Sequence, residues 1–122
     1  MARILHVEDD LDWRIIVARE LEELGYNFIQ FENLDEAKKI FNLDPSKFDC
    51  VICDGNLQEA SDGLIWAEQL YTSNIKVLVI SLNISDFMGF RLPFVDKRNF
   101  DGVSLEGAIK KFDTIINLRP DY

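Results

Sequence analysis

Four apolar runs in this 122-residue chain stop on residues able to do chemistry. Val51-Ile52-Cys53 stops on Asp54, and Ile4-Leu5-His6-Val7 stops on Glu8-Asp9-Asp10. Val77-Leu78-Val79-Ile80 stops on Ser81, and the brief run from Pro93 stops on Lys97. Short apolar runs bounded by turn signals read as fully buried strands. A carboxylate ending such a strand stands at the lip of the sheet, where open α/β sheets bind ligands. Asp54 is therefore the candidate reactive centre, with Glu8, Asp9, Ser81 and Lys97 as its candidate neighbours.

The chemistry follows from the residue types. Carboxylates brought together repel one another and raise a pKa unless a cation joins them. A hard divalent ion with oxygen ligands answers that need, and Mg²⁺ suits one or two carboxylates plus waters and phosphate oxygens. A hydroxyl and an ammonium opposite the ion suit a phosphoryl group carried on a carboxylate. The ion, Lys97 and Ser81 would each hold one phosphoryl oxygen. Asp54 taken alone reads equally well as a carboxylate capping the next loop, and its alignment with the other three strand ends favours the reactive role. His6 lies inside its strand and reads as a structural histidine, not as a phosphoryl carrier.

The elements that must bring these residues together alternate between strand and helix. The first strand leads into a helix capped by Asp10 or Asp12, with Leu11, Ile15, Ala18 and Leu21 as its apolar stripe and Gly25 as its end. A second strand covers Tyr26 to Phe31. Asn33 caps a helix over Leu34 to Phe41 that turns Ala37 and Ile40 inward. Asp44-Pro45-Ser46 is a turn, and the third strand covers Phe48 to Asp54. A polar loop, Gln58 to Gly63, precedes a helix over Leu64 to Tyr71 that presents Leu64, Ala67 and Leu70. The fourth strand covers Lys76 to Ser81, and the fifth covers Pro93 to Lys97. Between them Asn83 to Phe90 is short and poor in helix formers, so the fourth helix is reduced or irregular. A last helix opens at Val103 or Ser104 and carries Leu105, Ala108, Ile109 and Phe112. Alternation of this kind, with apolar strands that do not alternate with polar residues, predicts a five-stranded doubly wound α/β parallel sheet covered on both faces. All C-terminal strand ends of such a sheet share one edge.

Composition narrows the function. A chain of 122 residues is one domain, 1–122, with enough length for a core. Twenty-two acidic against 13 basic residues, a net charge of −9, exclude a general nucleic-acid surface. No apolar run approaches the roughly 20 residues that cross a bilayer, and no signal segment is present. Cys50 and Cys53 point to opposite faces of one strand, which predicts two free thiols and a reducing, cytoplasmic setting. Trp13 stands beside the acidic loop as a reporter of metal binding.

With these residues in place, the sequence resembles a receiver domain of the two-component response-regulator family over nearly its full length. The matching stretches are Ile4 to Asp10, Asp49 to Asn56, Val77 to Ser81 and Val95-Asp96-Lys97. The resemblance implies a flavodoxin-like (βα)5 fold with strand order 2-1-3-4-5. It makes Asp54 the acceptor of a phosphoryl group from a histidine kinase or histidine phosphotransfer protein. Glu8 and Asp9 match the acidic pair that holds Mg²⁺, and Asn56 matches the position whose backbone carbonyl completes the metal site. Ser81 matches the switch hydroxyl, Phe94 the switch aromatic and Lys97 the phosphate-binding lysine. The expectation is a stand-alone signalling domain, not an enzyme beyond self-phosphotransfer and self-dephosphorylation. Its output runs through a downstream effector protein, and its oligomeric state is open.

The chain departs from the family pattern at identifiable places. Leu82 is bulky where a small residue follows the switch hydroxyl. Arg98 replaces the proline after the lysine, no proline stands near Gln58, and the segment from Ser81 to Lys97 is short. These departures keep a second expectation alongside the first, a receiver-like interaction module that works without phosphorylation.

Overall fold

The structure is a computed structural model that describes residues 3–54, 62–81, 94–97 and 107, and only the backbone at 62, 81, 94 and 96. Among the described residues five parallel strands form one sheet, ordered β2-β1-β3-β4-β5, as the resemblance implies. The strands are β1 (Arg3–Val7), β2 (Asn27–Phe31), β3 (Cys50–Asp54), β4 (Val77–Ser81) and β5 (Phe94–Asp96). Among the described residues are the helices α1 (Leu11–Glu23), α2 (Leu34–Leu43) and α3 (Asp62–Thr72), and a 3-10 turn covers Pro45–Lys47.

The period of two in each strand divides the core into two layers. Leu5, Val7, Val51, Cys53, Val77 and Val79 face α2 and α3, where Leu34, Ala37, Phe41, Leu64, Ala67 and Leu70 complete the first layer. Phe41 joins that layer through an edge-on contact with Trp66, ring centroids 5.9 Å apart, and a stacked contact with Phe48 at 6.1 Å. Ile4, Cys50, Ile52, Leu78, Ile80 and Val95 face the other way, against Val17 and Leu21 of α1. The two cysteines are buried and on opposite faces, as their spacing predicts. Burial pushes the Cys53 thiol above its ordinary range.

Local chemistry sets the element ends. Asp10, not Asp12, caps α1: its side chain accepts from Asp12 N at 2.8 Å and Trp13 N at 3.4 Å. Asn33 caps α2 in the same way, from Asp35 N and Glu36 N. Gly25, at φ +82°, ends α1, while Tyr26 N reaches back to Leu21 O at 3.0 Å. That six-to-one bond with a left-handed residue before it is the Schellman arrangement.

Several expected boundaries move. Tyr26 is drawn into the α1 cap, so β2 starts at Asn27. Phe48 N bonds to Pro45 O, closing the 3-10 turn, so β3 starts at Cys50. The expected α1 stripe is also corrected: Leu11 and Ile15 are exposed, at 60% and 48%, and Val17 and Leu21 are the buried pair. The inner face includes the polar Arg14, which rotates the helix away from the apolar register. In α2 the inward residues are Leu34, Ala37 and Phe41, with Ile40 only half-buried. The expected fourth helix around Asn83–Phe90 and the last helix from Val103 lie outside the described residues, as do Leu82 and Arg98.

Candidate functional site

The register of the sheet explains why the strand-end residues meet. Val7 pairs with Cys53, so the next residues along, Glu8 and Asp54, leave adjacent strands at the same level. Parity places both on the α1 face, since Glu8 follows Ile4 and His6 at intervals of two and Asp54 follows Cys50 and Ile52. Lys97 lies two residues beyond Val95, on that same face, from β5. β4 intervenes between Lys97 and Asp54, and β4 and β3 both intervene between Lys97 and Glu8, so the side chains meet by reaching towards one another over the sheet edge.

The result is a buried charge cluster. Lys97 Nζ lies 2.6 Å from Glu8 Oε1 and 3.4 Å from Asp54 Oδ2. Glu8 is 1% exposed, Asp54 6% and Lys97 8%. Carboxylate oxygens of Glu8, Asp9 and Asp54 lie within 4.8 Å of one another, with Asp9 the exposed member. Burial, followed by the Asp54 carboxylate, pushes the Glu8 carboxyl up to about 8, against the opposing pull of Lys97. Three carboxylates facing a single ammonium leave an excess of negative charge among hard oxygen donors. That donor set fits a divalent cation such as Mg²⁺.

The cluster rests on a polar layer that apolar periodicity does not reveal. Arg14 Nη1 donates to Glu8 O at 2.8 Å, and Arg14 Nη2 lies 3.7 Å from Glu32 Oε2. Asp10 N donates to Glu8 Oε2 at 3.3 Å, and Glu8 N extends the sheet ladder to Phe31 O. Glu8 is thus fixed at its backbone on both sides and through its side chain. Behind it, Gln30 Nε2 bridges His6 Nδ1 at 3.0 Å and Arg14 O at 2.8 Å. Burial, then the charges of Lys97 and Arg14, lowers the His6 pKa to about 3. His6 is therefore neutral and structural, accepting at Nδ1 from Gln30.

Of the residues expected from the sequence, Glu8, Asp9, Asp54 and Lys97 converge. Ser81 ends β4 opposite Asp96, one residue past the Ile80 that pairs with Asp54, and Phe94 pairs with Val79. The side chains of Ser81 and Phe94, and Asn56 altogether, lie outside the described residues. Arg14 and Gln30 were not among the expected site residues. The signal for Arg14 is a long cation interrupting an inward helix face. That for Gln30 is its register position beside His6, readable only once β1 and β2 are paired.

The sequence matches the response regulator receiver domain over residues 4–92. The chain belongs to that family. Receiver domains are signalling modules of two-component systems, not classical enzymes. Solved structures agree with the fold. The response regulator TrrA of Thermotoga maritima, determined in complex with Mg²⁺ and BeF, superimposes with a TM-score of 0.77 at 29% identity, covering 91% of this chain and 98% of that one. The signal receiver domain of a modulated diguanylate cyclase from Desulfovibrio desulfuricans gives 0.76 at 23% identity, over 91% and 92% of the two chains. The chemotaxis protein CheY4 of Vibrio cholerae gives 0.73 at 18%, over 91% and 98%. No curated protein sequence matches this receiver. No described helix is long and apolar enough to cross a membrane.

Proposed function

We propose that this receiver accepts a phosphoryl group on Asp54 from a phosphohistidine of a histidine kinase or phosphotransfer protein, in a Mg²⁺-dependent reaction that alters partner binding. The observation that carries the proposal is the gathering of Glu8, Asp9 and Asp54 oxygens within 4.8 Å, with Lys97 against Asp54. In the transfer, an Asp54 carboxylate oxygen forms a bond to phosphorus while the phosphorus–nitrogen bond of the donor breaks. The electron pair stays on the imidazole nitrogen, which then takes up a proton.

Each residue has a defined share. Asp54 supplies the nucleophilic oxygen. Lys97 supplies positive charge for a phosphoryl oxygen, held in place by burial. Glu8 and Asp9, with the Asn56 carbonyl by family pattern, would hold the ion with Asp54. An ion held there would neutralise charge on the phosphoryl oxygens. Ser81 and Phe94 are the proposed switch pair that reads the state of Asp54. The complex of TrrA with Mg²⁺ and BeF supports carrying this chemistry to the present chain, where Glu8, Asp9 and Asp54 gather their carboxylate oxygens.

The remaining proposals follow from that role. Residues 1–122 form one receiver domain, working in the cytoplasm. Its partners are the phosphodonor and an effector protein, with no direct contact to nucleic acid or insertion into membrane. Turnover is limited to self-phosphorylation and slow self-dephosphorylation.

Beryllofluoride with Mg²⁺ tests the proposal. Trp13 fluorescence or the backbone amide spectrum of the parent protein should respond, and Asp54→Asn should not. A silent parent protein would instead support an interaction module that works without phosphorylation.

A further inference from the structure

The ammonium of Lys97 has a third neighbour besides its two carboxylates. The ring of Trp13 lies with its centroid 5.0 Å from Nζ. Aromatic faces attract cations, more strongly where water is excluded. The Lys97 side chain is 6% exposed, so the contact is largely dry. Trp13 owes its place to the first turn of α1, where its backbone N–H donates to the capping Asp10.

A divalent ion shared by Glu8, Asp9 and Asp54 requires oxygens of Glu8, one of which Lys97 approaches to 2.6 Å. Whatever holds the ammonium there competes with the ion for that carboxylate. We propose that Trp13 is a positioning residue that holds the Lys97 ammonium against Glu8 and thereby limits the affinity of the site for Mg²⁺. The inference rests on the reading of Glu8, Asp9 and Asp54 as the ion's ligands. The contact joins residues far apart in sequence, Trp13 in α1 and Lys97 just past β5, so ion affinity also depends on how those two elements sit together.

Calorimetric Mg²⁺ titration of four proteins tests this: the parent, Trp13→Leu, Lys97→Met and the double variant. Trp13→Leu should bind Mg²⁺ more tightly, by roughly 2- to 30-fold, the range a cation–π contact spans. Trp13→Phe, which keeps a weaker ring, should fall between Trp13→Leu and the parent, and serves if Trp13→Leu does not fold. Lys97→Met should also bind more tightly, and adding Trp13→Leu to it should change nothing further. Unchanged or weaker binding by both folded Trp13 variants overturns the inference. An equal gain with and without Lys97 also overturns it, because the ring would then act through the fold and not through the ammonium. Absence of any Mg²⁺ binding by the parent overturns the metal-site reading as well, which separates the two failures.

Discussion

Lys97 stands closer to Glu8 than to Asp54, with its ammonium 2.6 Å from one carboxylate and 3.4 Å from the other. The more deeply buried acid therefore has the closer ammonium. Even so, burial and Asp54 push the Glu8 carboxyl up from 4.5 to about 8. One ammonium does not offset two carboxylates out of water.

That imbalance predicts a pH dependence in Mg²⁺-free buffer. The folded protein keeps the Glu8 proton up to about pH 8, whereas the unfolded chain releases it near 4.5. The stability this proton contributes is complete below 4.5 and is lost as pH rises through about 8. Asp54→Asn removes the like charge, so the Glu8 carboxyl should titrate at lower pH in this variant. Carboxyl carbon NMR would show the shift, and urea unfolding should show the variant more stable than the parent at about pH 8, by about 1 kcal/mol. A Glu8 resonance that titrates identically in both proteins contradicts the coupling.

His6 makes the opposite prediction. Its pKa is lowered from 6.5 to about 3, so its contribution to stability is present above 6.5 and is lost as pH falls through about 3. The imidazole resonances should hold still from about pH 8 to about pH 5, where an ordinary histidine would titrate. Gln30→Leu takes from His6 Nδ1 the donor that faces it and removes the side-chain bond that Arg14 O accepts beside its helical one. It should cost about 1–3 kcal/mol in urea unfolding.

The rotation of α1 is also open to measurement. Leu21 is fully buried, whereas Leu11 and Ile15 are 60% and 48% exposed. Leu21→Ala should cost about 2–5 kcal/mol. Leu11→Ser and Ile15→Ser should each change stability by no more than about 0.5 kcal/mol. Large losses at Leu11 and Ile15 would restore the simple apolar stripe.

The contrast between these residues shows what a sequence can carry. Glu8, Asp54 and Lys97 were legible because each ends or follows an apolar strand and parity decides its face. Gly25, Asp10 and Asn33 were legible because caps are local chemistry. The face of α1 was not, because Arg14 occupies an inward position for a polar purpose, bonding to Glu8 O and accepting from Gln30. Periodicity counts only apolar residues and so reads the helix about a quarter-turn away. The starts of β2 and β3 moved for a related reason: Tyr26 and Phe48 look like strand residues, yet their backbone N–H groups are taken by Leu21 and Pro45. The pairing of Trp13 with Lys97 depends on how α1 sits over β5, information that no local pattern contains.

Phosphorylation of Asp54 is the central claim, and intact-mass spectrometry with peptide mapping tests it most directly. The protein is incubated with acetyl phosphate and Mg²⁺, alongside Asp54→Asn and a sample with the ion chelated. One phosphoryl group should appear, mapped to Asp54, and should be absent from both controls. No phosphoryl gain by the folded parent protein, or an equal gain by Asp54→Asn, would contradict the claim.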